Sequence, residues 1–354
     1  MNQNQLTKKA IELLKELIAI QSFSNEEEGT AAAIENWFKA FDISFEREHN
    51  NVFAKNKYWD DSKPTLLLNS HHDTVKPNQA YTKDPFYPHI EDGKLFGLGS
   101  NDAGGCLVSL IATFTFYYRS KILSHNILMV ASAEEENAGE HSLRGLLPRL
   151  PKIDVAIVGE PTLMQLAIAE KGLVVFDATV KGTPSHAAHP NDNNAIYNTI
   201  KVLEWFKNYS FDRTSEALGD VKLTVTQINA GSQHNVVPSQ VDLVIDVRVN
   251  DKYTNKEIAE LLRSEAPCEL KERGLKLNSS RIDKDHPLVK SGIALGRETY
   301  GSPTLSDQAA LSCQSLKLGP GDSTRSHSAD EYIYVHEIEE GIDLYIKILE
   351  GFLK

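Results

Sequence analysis

Three short apolar runs alternate with helical patterns in the first half of the chain, and this alternation constrains the fold more than any other feature. The runs are Thr65–Leu68 (TLLL), Ile127–Ala131 (ILMVA) and Val155–Val158 (VAIV), with helical patterns over Gly104–Tyr118 and from Glu140 onward. Uninterrupted apolar runs of this length are typical of strands that are buried on both faces. We therefore predict an α/β fold with a mostly parallel sheet between helices.

The pattern changes near Lys171, where alternation and β-branched residues become common. Strand-like segments cover residues 173–181, 221–228 and 241–250, and helical patterns cover 194–207 and 256–264. The order β-α-β-β-α predicts a small α+β insert with an antiparallel sheet. A chain of 354 residues exceeds what one core usually organises, so we expect two domains. The first takes residues 1–171 and 282–354, and the insert takes residues 172–281.

Composition argues against several classes of function. The net charge of −12 disfavours nucleic acid as a partner, because a phosphate backbone attracts a concentration of Lys and Arg. No apolar run reaches the roughly 18 residues that a membrane span needs. The N-terminus reads as an amphipathic helix rather than a secretion signal, so we expect a cytoplasmic protein without membrane contact. Cys106, Cys268 and Cys313 are odd in number and widely spaced, which predicts neither a disulfide framework nor a thiolate metal site.

Five polar clusters follow the strand-like runs or lie in glycine-rich loops. They are residues 69–74 (NSHHDT), 97–105 (GLGSNDAGG), 131–137 (ASAEEEN), 158–162 (VGEPT), and 319–322 (GPGD) with 326–332 (SHSADEY). In sheets of this class, binding residues collect beyond the carboxyl ends of the strands. Together the clusters offer two histidines and several carboxylates, a donor set that suits zinc, cobalt or manganese without thiolates.

Each cluster alone has a plainer explanation. His71 and Asp73 form an H-x-D pair that also occurs in surface turns, and Asp102 could cap a helix. The glycine-rich loop around Asp102 could hold a phosphate, but the lysine of such loops is missing. The acidic run Glu134–Glu136 would normally be a solvated face. It follows a buried strand, however, where a metal ion would relieve the cost of desolvating carboxylates. The joint occurrence of the clusters therefore favours a metal site.

In motif content and order, the chain resembles the M20 family of metallopeptidases and deacylases. The motifs that carry the resemblance are SHHDTV, GSNDAGG, SAEEEN, VGEPT, and GPGD with SHSADEY, and the similarity runs from about Leu6 to the C-terminus. The resemblance implies a zinc-exopeptidase-like catalytic domain with an inserted lid domain that forms a homodimer. It also implies two divalent metal ions, Zn²⁺ or Co²⁺, as cofactors.

The resemblance further implies roles for seven residues of the catalytic domain. The metal ligands would be His71, Asp102, Glu136, Glu160 and His327. Asp102 would bridge the two ions. His71 and Glu160 would bind one ion, and Glu136 and His327 would bind the other. Asp73 would orient His71, and Glu135 would be the general base. Relatives often have Asp-Glu-Glu where this chain has three glutamates, and we align the last two.

Three residues of the insert are expected to act on the substrate. His186, in GTPSHA, matches the lid histidine that reaches the site of the partner subunit and would stabilise the oxyanion. Asn235, in NVVP, and Arg248 match lid positions that contact substrate. Arg248 would hold the substrate's α-carboxylate, because a guanidinium fork suits a planar carboxylate.

The expected reaction is hydrolysis of the amide bond of a small N-acylated amino acid. The short chain and the segment GPGDSTRSHSADEY favour N-acetylornithine or an N-acylcitrulline, and hence arginine biosynthesis. A succinyl-diaminopimelate desuccinylase is the near alternative, for which Lys171 and Arg325 could supply cations to the second acyl carboxylate. A dipeptidase or carboxypeptidase is a third possibility. A binding protein without catalysis is disfavoured, because Glu135 and every ligand position are filled.

Overall fold

A computed structural model describes residues 3–354 of the chain. It divides into two compact units. Unit 1 comprises residues up to Ile168 together with Arg281–Tyr300 and Ser306–Lys354, and unit 2 comprises Ala169–Ser280 and Gly301–Leu305. The sequence patterns gave no sign that the short segment 301–305 belongs with the second unit, because five residues are too few to show a period.

The helices of the described residues are α1 (Gln3–Ile18), α2 (Glu28–Ala40), α3 (Gly105–Tyr117), α4 (Leu143–Leu146), α5 (Ala195–Asn208), α6 (Asn255–Glu265), α7 (Pro287–Ala294) and α8 (Val335–Leu353). The strands are β1 (Glu46–Glu48), β2 (Asn51–Lys55), β3 (Thr65–His71), β4 (His89–Glu91), β5 (Lys94–Phe96), β6 (Asn126–Ser132), β7 (Val155–Val158), β8 (Leu166–Glu170), β9 (Gly172–Lys181), β10 (Ser185–His186), β11 (Lys222–Ala230), β12 (Val236–Val237), β13 (Gln240–Val249), β14 (Glu269–Glu272), β15 (Ser280–Arg281), β16 (Thr299–Ser302), β17 (Gln314–Lys317) and β18 (Tyr332–Tyr334). None of the helices between residues 3 and 354 has both the length and the apolar character to cross a membrane.

The large sheet of unit 1 confirms the predicted α/β class. Its strands run in the order β1-β2-β6-β3-β7-β17-β8. The four central neighbours β6, β3, β7 and β17 are parallel, and β2 and β8 pair antiparallel at either side. The carboxyl ends of four adjacent parallel strands therefore meet at one edge of the sheet, which is where such folds place their sites.

Both faces of this sheet are covered, which explains the uninterrupted apolar runs. On β3, Leu66 and Leu68 belong to the core that α1, α2, α3 and α8 complete, whereas Leu67 packs into a second core with Leu143 of α4. Because successive side chains of a strand point to opposite faces, a strand between two cores has apolar residues at successive positions rather than at alternate ones. The predicted amphipathic N-terminal helix is α1, which buries its apolar stripe.

The segment after Glu140 is less helical than its sequence suggests. Its α-helix spans only Leu143–Leu146, and a 3₁₀ turn follows over Leu147–Arg149. Pro148 is the physical reason, because proline disfavours helical geometry at the residue before it and cannot donate to the helix.

Unit 2 contains the antiparallel sheet that the alternation predicts. Its order is β11-β13-β9-β14, with antiparallel pairing throughout. Alternate residues of β9 and β13 are buried with residues of α5 and α6 in a separate core, while the intervening residues form the opposite, more exposed face. A two-stranded ribbon of β10 and β12 also belongs to this unit.

Candidate metal centre

Five side chains from the predicted clusters converge at the carboxyl edge of the sheet in unit 1. His71 ends β3, Glu136 follows β6, and Glu160 follows β7. Asp102 lies in the turn that precedes α3, and His327 lies in the segment before β18. Because parallel strands present their carboxyl ends side by side, residues far apart in sequence meet here.

The Asp102 carboxylate lies between the two histidines. Its Oδ1 atom is 3.4 Å from Nε2 of His71, and its Oδ2 atom is 3.5 Å from Nε2 of His327. Ligand atoms of His71, Asp102 and Glu136 all lie within 4.8 Å of one another. One carboxylate that offers an oxygen to each of two imidazoles has the arrangement of a bridging ligand between two cations.

The remaining two carboxylates each lie near one of the two histidines. Oε1 of Glu160 is 3.8 Å from Nε2 of His71, and Oε2 of Glu136 is 3.1 Å from Nε2 of His327. The structure thus brings together all five residues that the sequence suggested as metal ligands. Each histidine lies near one glutamate and one oxygen of Asp102.

His71 has a defined tautomer. Its Nδ1 atom lies 2.9 Å from the carbonyl oxygen of Asp73, and a carbonyl can only accept, so Nδ1 carries the proton and donates it. Nε2 points at the Asp102 and Glu160 carboxylates. Burial opposes the charged form of the ring, but the hydrogen bonds to Asp102 and Asp73 raise the pKa of His71 well above its usual range, so a metal ion would bind Nε2 in place of a proton. The ring is almost completely buried, which holds this orientation.

The Asp73 carboxylate contacts more than His71. Its Oδ1 accepts the backbone N–H of Glu135 and its Oδ2 accepts that of Glu136, each at 3.1 Å, and the Ser24 hydroxyl donates to Oδ2 at 2.7 Å. The distance from Oδ1 to Nδ1 of His71 is 3.4 Å. This single buried carboxylate therefore connects the loop of the expected general base with the first histidine, a connection that the H-x-D spacing did not reveal.

Glu134 points away from the cluster. Its backbone adopts a left-handed conformation with φ 54°, and its carboxylate accepts the backbone N–H of His141 at 2.9 Å. Gly139 packs so closely against Glu134 that a Cβ atom there would lie 2.0 Å from Oε2. This orientation supports the alignment of Glu135 and Glu136, rather than Glu134, with the functional glutamates of the family.

Glu331 is a residue at the site whose role the sequence did not indicate. It is buried, and its carboxylate accepts backbone N–H groups of Gly99, Asn101 and Asp102 at 3.1, 2.8 and 2.9 Å. Gly99 has φ 74°, and a Cβ atom there would lie 2.5 Å from Thr74, so the turn requires glycine. The only sequence signal was the presence of Glu331 inside the motif SHSADEY, four positions after His327.

The electrostatics of the cluster match a cation site. Burial and the nearby Asp102 charge raise the pKa of Glu160 to about 8, and burial raises the pKa of Glu135 well above its usual range although His71 opposes this. Burial raises the pKa of Asp102, but its hydrogen bond with His71 and the charge of that ring bring it below the usual value. The hydrogen bond to Glu136 raises the pKa of His327 to about 9.

These shifts show that the buried carboxylates need positive charge, and that protons supply part of it here. Divalent ions would supply it more effectively, and the donors are imidazole nitrogens and carboxylate oxygens, which zinc, cobalt and manganese accept. The residues present therefore fit two divalent metal ions.

The three predicted substrate residues lie in unit 2. His186 and Asn235 come together there, because β10 pairs with β12 and the Ala187 N–H donates to the Asn235 carbonyl at 2.9 Å. Both side chains are exposed. Arg248 lies on β13, where its guanidinium donates to both carboxylate oxygens of Asp246 at 2.9 and 3.0 Å. The Arg248 guanidinium, which is expected to bind a substrate carboxylate, therefore already binds the Asp246 carboxylate on the same strand.

Solved structures share this architecture. A tripeptidase from Staphylococcus aureus matches with a TM-score of 0.77 at 18% identity, over 97% of this chain and 98% of that protein. A dinuclear metal binding peptidase of the M20 family from Bacillus subtilis matches with a TM-score of 0.76 at 16% identity, over 98% of both chains. At such identities the likeness shows the fold.

The fold and the convergent His and carboxylate cluster define a metal-dependent amidohydrolase. Residues 67–351 match the family described as peptidase family M20/M25/M40, and the chain belongs to that family. Among its relatives, a succinyl-diaminopimelate desuccinylase from Wolbachia pipientis is 28% identical over 375 residues, covering 97% of this chain and 93% of the relative. One from Rickettsia bellii is 24% identical over 374 residues, covering 95% of both chains.

Proposed function

We propose that this chain hydrolyses the amide bond of an N-acylated amino acid with two divalent metal ions held in unit 1. The observation that carries this proposal is the position of Asp102, whose two oxygens face His71 and His327 at 3.4 and 3.5 Å. Glu160 and Glu136 complete the two ligand sets. Zn²⁺ or Co²⁺ is the proposed metal, because the donor set combines imidazole with carboxylate and contains no thiolate.

The two metals would polarise the amide carbonyl and lower the pKa of an attacking water molecule to about 7. Glu135 takes a proton from that water as its oxygen bonds to the carbonyl carbon, and it then gives the proton to the leaving nitrogen as the C–N bond breaks. The raised pKa of Glu135 suits this transfer, because a carboxyl group with an ordinary pKa would hold the proton too weakly. Asp73 fixes the Glu135 backbone and thus the reach of its side chain.

The chain is proposed to act as a homodimer assembled through unit 2. The exposed face of α5 presents Ile196, Tyr197 and Ile200, and β11 is an edge strand that exposes Ile228. Large apolar side chains beside an unpaired strand edge are typical of an interface. His186 would act in the site of the partner subunit, where its imidazole would stabilise the oxyanion of the attacked carbonyl.

Arg248 is proposed to hold a substrate carboxylate in exchange for Asp246. The two residues lie two positions apart on β13, on the face that is not packed in the core of unit 2, and both side chains are partly accessible. An incoming carboxylate can therefore replace Asp246 on the guanidinium fork without disturbing the core. Asn235 would contact the substrate from the same unit.

The first candidate substrate is N-succinyl-diaminopimelate, because relatives that match along nearly the whole chain carry the desuccinylase name. An N-acetylornithine or N-acylcitrulline is the second candidate, favoured by the segment 319–332. The bonding of Arg325 also supports the second candidate. This arginine donates to both carboxylate oxygens of Glu337 at 2.7 and 3.0 Å, and its side chain is less exposed (15%) than that of Arg248 (33%), so it is less accessible to a substrate carboxylate than Arg248 is. Lys171 donates to the Asp220 carbonyl at 2.7 Å and remains available as a cation.

A substrate panel tests the proposal. Purified protein loaded with Zn²⁺ or Co²⁺ would be assayed against succinyl-diaminopimelate, acetylornithine, acetylcitrulline, succinylornithine, succinylcitrulline and a set of dipeptides. We expect one acyl amino acid to exceed the dipeptides in kcat/KM. Lys171→Ala should lower kcat/KM for succinyl substrates and leave acetyl substrates unchanged if the desuccinylase reading is right. Preference for dipeptides would overturn the proposed substrate class.

A further inference from the structure

A buried glutamate holds the turn that carries the bridging carboxylate. The Oε1 atom of Glu331 accepts the backbone N–H groups of Asn101 and Asp102 at 2.8 and 2.9 Å, and its Oε2 atom accepts that of Gly99 at 3.1 Å. The backbone carbonyl of Glu331 accepts the N–H of Gly97 at 3.0 Å. One residue therefore satisfies four backbone donors within six positions of a single turn.

The same short segment also carries a proposed metal ligand. His327 lies four positions before Glu331, and its backbone adopts a left-handed conformation with φ 56°. The turn that Glu331 holds ends in Asp102, whose Oδ2 atom is 3.5 Å from Nε2 of His327. Contacts from Glu331 thus connect the two pieces of chain that must stay in register for Asp102 and His327 to meet.

We propose that Glu331 is a positioning residue for the metal centre, which sets the distance between Asp102 and His327 by holding the backbone of residues 97–102. This inference rests on the proposed two-metal function. Glu331 touches no reacting atom; it acts through the backbone N–H of Asp102. Removing its carboxylate should therefore weaken metal binding and change the coordination geometry, rather than abolish a chemical step.

The clamp suits a carboxyl group of this length, and although burial and the Asp102 charge raise the pKa of Glu331 to about 8, either oxygen can accept a backbone N–H. Both oxygens accept, and neither can be replaced by a donor without opposing a backbone N–H group. Glu331→Gln places an amide NH₂ against either the Gly99 N–H or the two N–H groups at Oε1. Glu331→Asp keeps both acceptors but shortens the side chain by one methylene. We expect glutamine to disturb the turn more than aspartate.

The test measures metal binding and coordination in the full-length chain. Metal-free wild type, Glu331→Gln and Glu331→Asp would be titrated with Co²⁺, with affinity followed calorimetrically and geometry followed by the visible absorption of the bound ion. Loss of a residue that supports metal ligands typically weakens binding by about 10–100-fold. We expect a loss in this range and an altered spectrum for glutamine, and a smaller loss for aspartate.

Asp154→Ala is the matched control, because it removes the acceptor altogether, whereas asparagine would keep an amide oxygen for the same N–H. The Asp154 carboxylate also accepts a backbone N–H, that of Thr65 at 2.9 Å, but at the opposite end of β3 from His71. This variant should bind Co²⁺ with wild-type affinity and spectrum, even if its melting temperature falls. A general effect of lost backbone contacts would instead appear in both variants.

The possible outcomes separate the inference from the proposed function. If the wild type binds fewer than two Co²⁺ ions per chain, the proposed function fails. If the wild type binds two and Glu331→Gln gives the same affinities and spectrum, the positioning role alone is overturned. Should Glu331→Gln fail to fold, Glu331→Asp is judged by the same criterion: wild-type affinity and spectrum overturn the inference, and a weakened, spectrally altered site supports it.

Discussion

Asp73→Asn tests whether Asp73 supports only His71 or also the loop that carries Glu135 and Glu136. Asp73 is buried, and each of its oxygens accepts a backbone N–H, from Glu135 at one and from Glu136 at the other. Asparagine keeps the size but replaces one acceptor with a donor. At least one of the two N–H groups then loses its partner, whichever way the amide is turned.

The magnitude follows from these contacts. A hydrogen bond to a charged group contributes about 1.5–3 kcal/mol, and a buried donor left without a partner costs about 1–3 kcal/mol. These contributions overlap, so we expect the free energy of unfolding of the metal-free protein to fall by about 2–4 kcal/mol. Displacement of Glu135 by about 1 Å would lower kcat by about 100-fold. Loss of support for the ligands would weaken metal binding by about 10–100-fold.

The assay combines urea unfolding of metal-free protein, calorimetric titration with Zn²⁺ and steady-state rates. Both metal-binding steps should weaken, because the Asp73 carboxylate accepts the Glu136 N–H at 3.1 Å and also lies 3.4 Å from Nδ1 of His71. Ser24→Ala is the control, since it removes only the hydroxyl bond to the Asp73 carboxylate and should cost about 1.5–3 kcal/mol. Weakening of only one binding step, with kcat unchanged, would mean that Asp73 acts through His71 alone and would refute the reasoning.

Three further predictions concern Glu135 as the general base, the release of protons on metal binding, and the action of His186 in the partner subunit. Glu135→Gln should bind two metal ions yet lower kcat by about 10²–10⁴-fold, and a near-normal rate would remove Glu135 from its role. Without metal, Glu160 and His327 hold protons at pH 7 because their pKa values are about 8 and about 9, so raising the pH through these values should strengthen metal binding. Calorimetry in two buffers of different ionisation heat should show proton release, and equal heats would contradict this. Mixing inactive His186→Ala with inactive Glu135→Gln should restore up to roughly a quarter of wild-type activity if the histidine acts in the partner subunit. No recovery of activity would contradict that role of His186.

The convergence of the metal centre could be predicted from the sequence, because it follows from strand order. The three apolar runs end shortly before His71, Glu136 and Glu160, and the parallel strands of an α/β sheet present their carboxyl ends at one edge. The separate antiparallel sheet of unit 2 was also predictable, because one face of each strand is exposed and alternation survives in the sequence.

The contacts that hold the ligands in place could not be predicted in this way. Glu331 binds backbone N–H groups about 230 positions earlier in the chain. Because residues of nearly every type carry a backbone N–H, the sequence does not show which of them a side chain will bind. The wider role of Asp73 was hidden for the same reason. The pairing of Arg248 with Asp246 was accessible in principle, since residues two apart on a strand share a face. The family resemblance pointed to Arg248 and not to Asp246.

The most direct test of the two-metal account is anomalous diffraction from crystals grown with excess Zn²⁺, recorded at the zinc absorption edge. The account predicts two peaks per chain, about 3.5–4 Å apart, with one oxygen of Asp102 on each. His71 and Glu160 should contact one peak, and Glu136 and His327 the other. A single peak, or two peaks that do not share Asp102, would contradict the account.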